Sequence, residues 1–73
     1  MYFKRLRDLR EDRDCSQQQI ADLLHIRQTV YSRYERGVRQ LPVDLLIALA
    51  DFYETSADYL LGRTDDPAPP QAR

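Results

Sequence analysis

Arg27, Gln28, Thr29, Ser32, Arg33 and Arg36 fall within ten residues, interleaved with the apolar Val30, Tyr31 and Tyr34. On a helix the two sets face opposite ways. The polar set suits the edges of base pairs: arginine can bond guanine O6 and N7 together, and glutamine can bond adenine N6 and N7. Threonine offers a hydroxyl or a methyl group. No carboxylate interrupts this face before Glu35, whereas a purely structural helix would more often carry Glu/Lys pairs there. The rest of the chain offers little other chemistry. There is no nucleophile–base pairing, no glycine loop to cradle phosphate and no paired-carboxylate site, and 73 helical residues leave little room for a catalytic pocket. We therefore expect no enzyme and no cofactor. One cysteine (Cys15) and one histidine (His25) cannot build a four-ligand zinc site, so no metal is expected either.

The elements that must hold this face read as helices throughout, since no stretch alternates apolar and polar residues for long enough to make a strand. The segment from Tyr2 to Arg13 sets Phe3, Leu6 and Leu9 near one side of an amphipathic helix. Ser16-Gln17-Gln18-Gln19 is a capping box: the Ser16 hydroxyl can accept from the amide of residue 19, and Gln19 can reach back. Cys15 and Ile20 take the two places of a hydrophobic staple. The second helix continues through Ala21 and Leu24. A tight break, Leu24-His25-Ile26-Arg27, precedes a third helix that stops at Arg36-Gly37. Pro42 opens a fourth in its first turn, running to Tyr53. Ser56 caps a short fifth helix, Ala57 to Leu61, which Gly62 ends. Two short helices joined by so tight a break must cross steeply, with Ala21 as the small residue at their contact. Residues 63–73 have three prolines and no apolar periodicity, so a disordered tail is expected after a folded unit of residues 1–62.

The net charge of −1 is unpromising for a nucleic-acid binder, yet its distribution is not even. Residues 1–39 carry nine Lys/Arg against six Asp/Glu, a balance of +3, and residues 40–73 carry two against six, a balance of −4. Only the field near the duplex has to be positive. A lone thiol suits a reducing cytoplasm, and no apolar run of about 18 residues is present to span a membrane.

Five stretches in order, Leu6-Arg7-Asp8-Leu9-Arg10, Ser16-Gln17-Gln18-Gln19-Ile20-Ala21, Tyr31-Ser32-Arg33-Tyr34-Glu35-Arg36-Gly37, Leu49-Ala50-Asp51-Phe52-Tyr53 and Asp58-Tyr59-Leu60-Leu61-Gly62, resemble the lambda repressor and Cro family of XRE-type helix-turn-helix regulators. The likeness covers about residues 3–65. It implies an all-α, compact five-helix lambda-repressor-like domain, with the motif at residues 17–36, that binds operator DNA as a homodimer. It further implies that Gln28 and Thr29, flanked by Arg27 and Arg33, read bases. Gln17 would hold a phosphate and brace the first reading residue, and Arg36 and Arg39 would touch the backbone after the reading helix, with Ser32 beside them. Arg10 and Glu35 match a family ion pair of structural meaning. The chain departs from the pattern at His25, where the family's turn has glycine in left-handed backbone, at Arg27, which cannot cap a helix, and at Thr55, where an aliphatic residue is usual.

Double-stranded DNA is thus the expected partner, with a bacterial repressor of an inverted-repeat operator as the expected role. A competing reading is an antitoxin or anti-regulator whose chief partner is a regulatory protein. Either reading needs a contact surface. Leu45, Ala48, Leu49 and Phe52 make a stripe at i, i+3, i+4, i+7 that is expected to form the dimer interface, while Val43, Leu46, Ala50 and Tyr53 face the core.

Overall fold

In the computed structural model, which describes residues 2–70, the chain forms five helices: α1 (Lys4–Asp12), α2 (Gln17–Leu23), α3 (Gln28–Glu35), α4 (Val43–Phe52) and α5 (Ala57–Leu60). No strand occurs among the described residues. The capping box at α2 is complete. The Gln19 amide donates to Ser16 Oγ at 3.1 Å, and the Ser16 amide donates to Gln19 Oε1 at 2.8 Å. Ser56 caps α5 through the Tyr59 amide. Pro42 stands at the N-cap of α4, one residue before the helix, and its carbonyl accepts the first α4 bond from Leu46.

All five helices end the same way. A residue in left-handed backbone follows the C-cap, and the next two amides fold back onto the last turn. At α2 the His25 amide donates to Asp22 O and the Ile26 amide to Ala21 O. The left-handed residues are Asp14, His25, Gly37, Glu54 and Gly62, with φ between 53° and 77°. Only two of the five are glycine, so three turns carry strain that glycine would not.

Leu6, Ile20, Ala21, Leu24, Tyr31, Leu49, Ala50, Tyr53 and Leu60 make one core, drawn from every helix. Ala21 is fully buried. α2 and α3 pack most intimately, as a helix-turn-helix unit requires.

Two expectations are corrected here. Leu49 is fully buried, so it cannot face a partner, and Val43, placed in the core by the stripe reading, is 69% exposed. The core-facing line of α4 is Leu46, Leu49, Ala50, Tyr53, itself an i, i+3, i+4, i+7 series, which moves Val43 beyond the end of the core. Leu45 and Phe52 are half-buried against that core, and Ala48 and Ile47 are exposed.

The segment after α5, expected as a disordered tail, lies back along the domain through residue 70; residues 71–73 of that expected tail lie outside the described residues. Arg5 donates to the carbonyls of Tyr59 and Thr64 and to Asp65, with its guanidinium 4.1 Å from the centre of the Tyr59 ring. The buried Thr55 donates its hydroxyl to the Pro67 carbonyl at 2.7 Å. The contacts of this stretch with the helices are polar ones. Thr55 in place of an aliphatic residue is explained by the same bond.

Candidate nucleic-acid interface

α3 turns Tyr31, Tyr34 and Glu35 inward and leaves Thr29, Arg33, Arg36 and the preceding Arg27 exposed, with Gln28 and Ser32 half-exposed. Arg27 makes no side-chain cap, and its extended backbone (φ −75°, ψ 147°) leads straight into the helix. The carbonyl of Ser32 accepts from Arg36 Nε, which lays that guanidinium along the helix. Arg39 is exposed on the segment after α3.

Beneath this face lies a hydrogen-bonded chain. Arg10 grips Glu35 in two bonds, Nε to Oε2 and Nη2 to Oε1, both 2.9 Å, and its Nη1 donates to the Cys15 carbonyl. Gln17 Nε2 donates to Glu35 Oε1 at 3.3 Å, and Gln28 Nε2 donates to Gln17 Oε1 at 2.6 Å. Burial works to raise the Glu35 carboxyl, but the bonds from Arg10 and Gln17 together with the nearby Tyr31 outweigh it, so its pKa sits below the ordinary value. The Tyr31 hydroxyl approaches the same carboxylate without closing a hydrogen bond of good geometry. Burial, reinforced by that carboxylate, pushes the Tyr31 phenol far above its usual range, and burial does the same to Tyr53.

The pattern of pairing separates this face from the remainder of the surface. Among the described residues, Lys4, Arg5, Arg7, Arg10 and Arg63 are all in ion pairs, and Arg13 lies over the rings of Phe52 and Tyr53. None of Arg27, Arg33, Arg36 and Arg39 forms an ion pair with a described residue. Four exposed cations without an ion-paired carboxylate among the described residues thus line α3 and the residues after it. A shallow notch lined by Tyr2, Arg7, Arg10, Gln17, Glu35 and Arg36 opens beside them. Arg7 was not singled out by sequence reasoning, because its place at this notch follows only from how α1 docks. The link from Glu35 to Gln17 was missed for another reason. Residues 18 positions apart declare no contact in the sequence, and Glu35 is already accounted for by Arg10.

No helix among the described residues is long and apolar enough to cross a membrane. No solved structure matches the chain. Curated relatives do. The chain is 42% identical over 69 residues to the HTH-type transcriptional regulator YobD of Bacillus subtilis, covering 94% of this chain and 62% of that protein. It is 43% identical over 63 residues to the HTH-type transcriptional regulator AnsR of the same organism, covering 86% and 54%. Against the cryptic phage CTXphi transcriptional repressor RstR of Vibrio cholerae it is 32% identical over 53 residues, covering 73% and 48%. The chain therefore spans about half to three-fifths of the length of these relatives. Residues 6–60, from the core leucine of α1 to the last residue of α5, match the family described as helix-turn-helix, and the chain belongs to that family.

Proposed function

We propose that this chain binds double-stranded DNA in a sequence-specific manner and regulates transcription as a repressor, acting as a homodimer on an inverted-repeat operator in a bacterial cytoplasm. The observation that carries the reading is the set of four exposed arginines, Arg27, Arg33, Arg36 and Arg39, on and beside α3, without ion-pair partners among the described residues. Phosphates would supply the missing counter-charge. The N-terminal part of α3 then enters the major groove, where Gln28, Thr29 and Arg33, with Arg27 at the edge, meet base edges. Gln17, Ser32, Arg36 and Arg39 flank that patch and hold phosphates. The names of the relatives, transcriptional regulators and one transcriptional repressor, support the same role.

Dimerisation is assigned to the outer side of α4. Val43 and Ile47 are 69% and 52% exposed and one turn apart, with Ala48 beside them and Leu45 and Phe52 at the edges. Two reading helices would then lie about one DNA turn apart, roughly 34–36 Å.

The same exposed residues favour a second reading, in which this surface takes a regulatory protein and DNA is incidental. The two readings divide on one experiment. A pool of randomised duplexes is selected on the protein and the recovered sequence titrated at several salt concentrations. The DNA reading requires an inverted repeat and affinity that falls steeply with salt. Recovery of no common sequence, with weak retention that does not depend on salt, favours the protein partner.

A further inference from the structure

The buried ion pair does more than hold α1 to α3. We infer that Glu35 is a positioning residue for base recognition: through Gln17 it fixes which end of the Gln28 amide faces the DNA, and so selects adenine at the base pair Gln28 reads. The inference rests on the reading of α3 as a DNA-reading helix.

The polarity of the chain is forced at each step. Arg10 only donates, and it holds Glu35 ionised with two bonds. An ionised carboxylate only accepts. The neighbouring Gln17 amide must therefore turn its nitrogen to Glu35, which leaves its oxygen for Gln28. Facing an oxygen, the Gln28 amide must turn its own nitrogen inward. One N–H of Gln28 is spent on Gln17, so the second N–H and the oxygen Oε1 remain for DNA. One donor beside one acceptor complements adenine, which offers N7 as acceptor and N6–H as donor. With the reverse polarity, Gln28 would present its nitrogen outward with two donors, the complement of the O6 and N7 acceptors of guanine.

The side chains are arranged to make this signal firm. The Glu35 side chain is 4% exposed and that of Arg10 14%, so water does not compete for the carboxylate. Gln17 is half-buried, and the Gln28 to Gln17 bond is short at 2.6 Å. An exposed Gln28 without the brace would sample both amide orientations, and its discrimination would blur.

The test is selection from a randomised duplex pool by the 73-residue chain and its variants, reading base frequencies at the position whose preference depends on Gln28. That position is the one that loses its preference in Gln28→Ala. In Gln17→Lys the ammonium can pair with Glu35 but only donates, so Gln28 must turn its oxygen inward, and the preferred base should change from adenine to guanine. In Glu35→Gln position 35 no longer imposes a direction, and the adenine preference should fall about tenfold while the other operator positions keep theirs. Thermal melts accompany each variant. A merely structural role would lower the melting temperature and weaken all sequences alike, leaving the preferred base unchanged. If the Gln28-dependent position stays adenine in Gln17→Lys, the inference is overturned while the DNA-reading role of α3 stands. If Gln28→Ala changes no position at all, the reading helix itself is refuted, and the inference goes with it.

Discussion

At the scale of single residues, one carboxylate carries most of the consequence. Glu35 is nearly buried, and its partner Arg10 is bound to nothing else but a carbonyl. Removing one member of such a pair leaves an uncompensated charge, so Glu35→Ala should cost about 3–5 kcal/mol in urea unfolding. The pH dependence follows from the lowered carboxyl. Its folded pKa lies below the ordinary 4.5, so the folded state favours the ionised form. The stabilisation is full above that ordinary value and is lost as pH falls through the lowered folded one. Urea midpoints measured from pH 6 downward should thus drop below about pH 4.5 in the native chain, and Glu35→Gln should flatten that drop. The pairing of Arg10 with Glu35 was legible through the family resemblance. The direction of the Gln17 and Gln28 amides was not, because amide polarity is decided by which group stands at the buried end, and that depends on tertiary packing.

Local structure was most legible where its signals are covalently near. The capping box at Ser16 needs only four consecutive residues, and Ser56 and the two glycines mark their helix ends as directly. The ends of α1 and α4 carry Asp14 and Glu54 in left-handed backbone, and neither residue type announces a stop. His25 was expected to take that conformation, and its φ is 57°. Both His25 and Glu54 have exposed side chains. His25→Gly and Glu54→Gly should therefore each stabilise the fold, by about 0.5–1 kcal/mol after the larger unfolded-state entropy of glycine is subtracted. A rise of about 2–8 °C in melting temperature per substitution is the expected outcome. A fall would mean that the side chains hold the turns through contacts beyond backbone geometry. The phase of α4 illustrates the limit of periodicity. Two apolar stripes lie side by side on that helix, and spacing alone does not say that Leu49, at their border, goes to the core while Val43, one turn before Leu46, lies beyond its end.

Across the whole molecule, the division of α4 predicts opposite phenotypes for neighbouring positions. Ile47→Glu should leave the monomer folded and abolish a homodimer in sedimentation at high micromolar concentration, since its side chain covers no core. Leu49→Ala should instead lower stability by about 2–5 kcal/mol through the cavity it leaves. A dimer that survives Ile47→Glu unchanged would place the interface elsewhere. Charge is also divided at this scale: the cations without an ion pair among the described residues cluster at α3, while the acidic residues of α4, α5 and the returning segment lie in the second half of the chain. The central claim, that α3 reads bases while its flanks hold phosphates, is tested most directly by titrating Gln28→Ala and Arg39→Ala against the selected operator and a scrambled duplex. Gln28→Ala should weaken the operator by about 1–3 kcal/mol and leave the scrambled duplex unchanged. Arg39→Ala should weaken both alike and lower the salt slope by about one per monomer. If both substitutions shift both duplexes by equal factors, α3 does not read sequence.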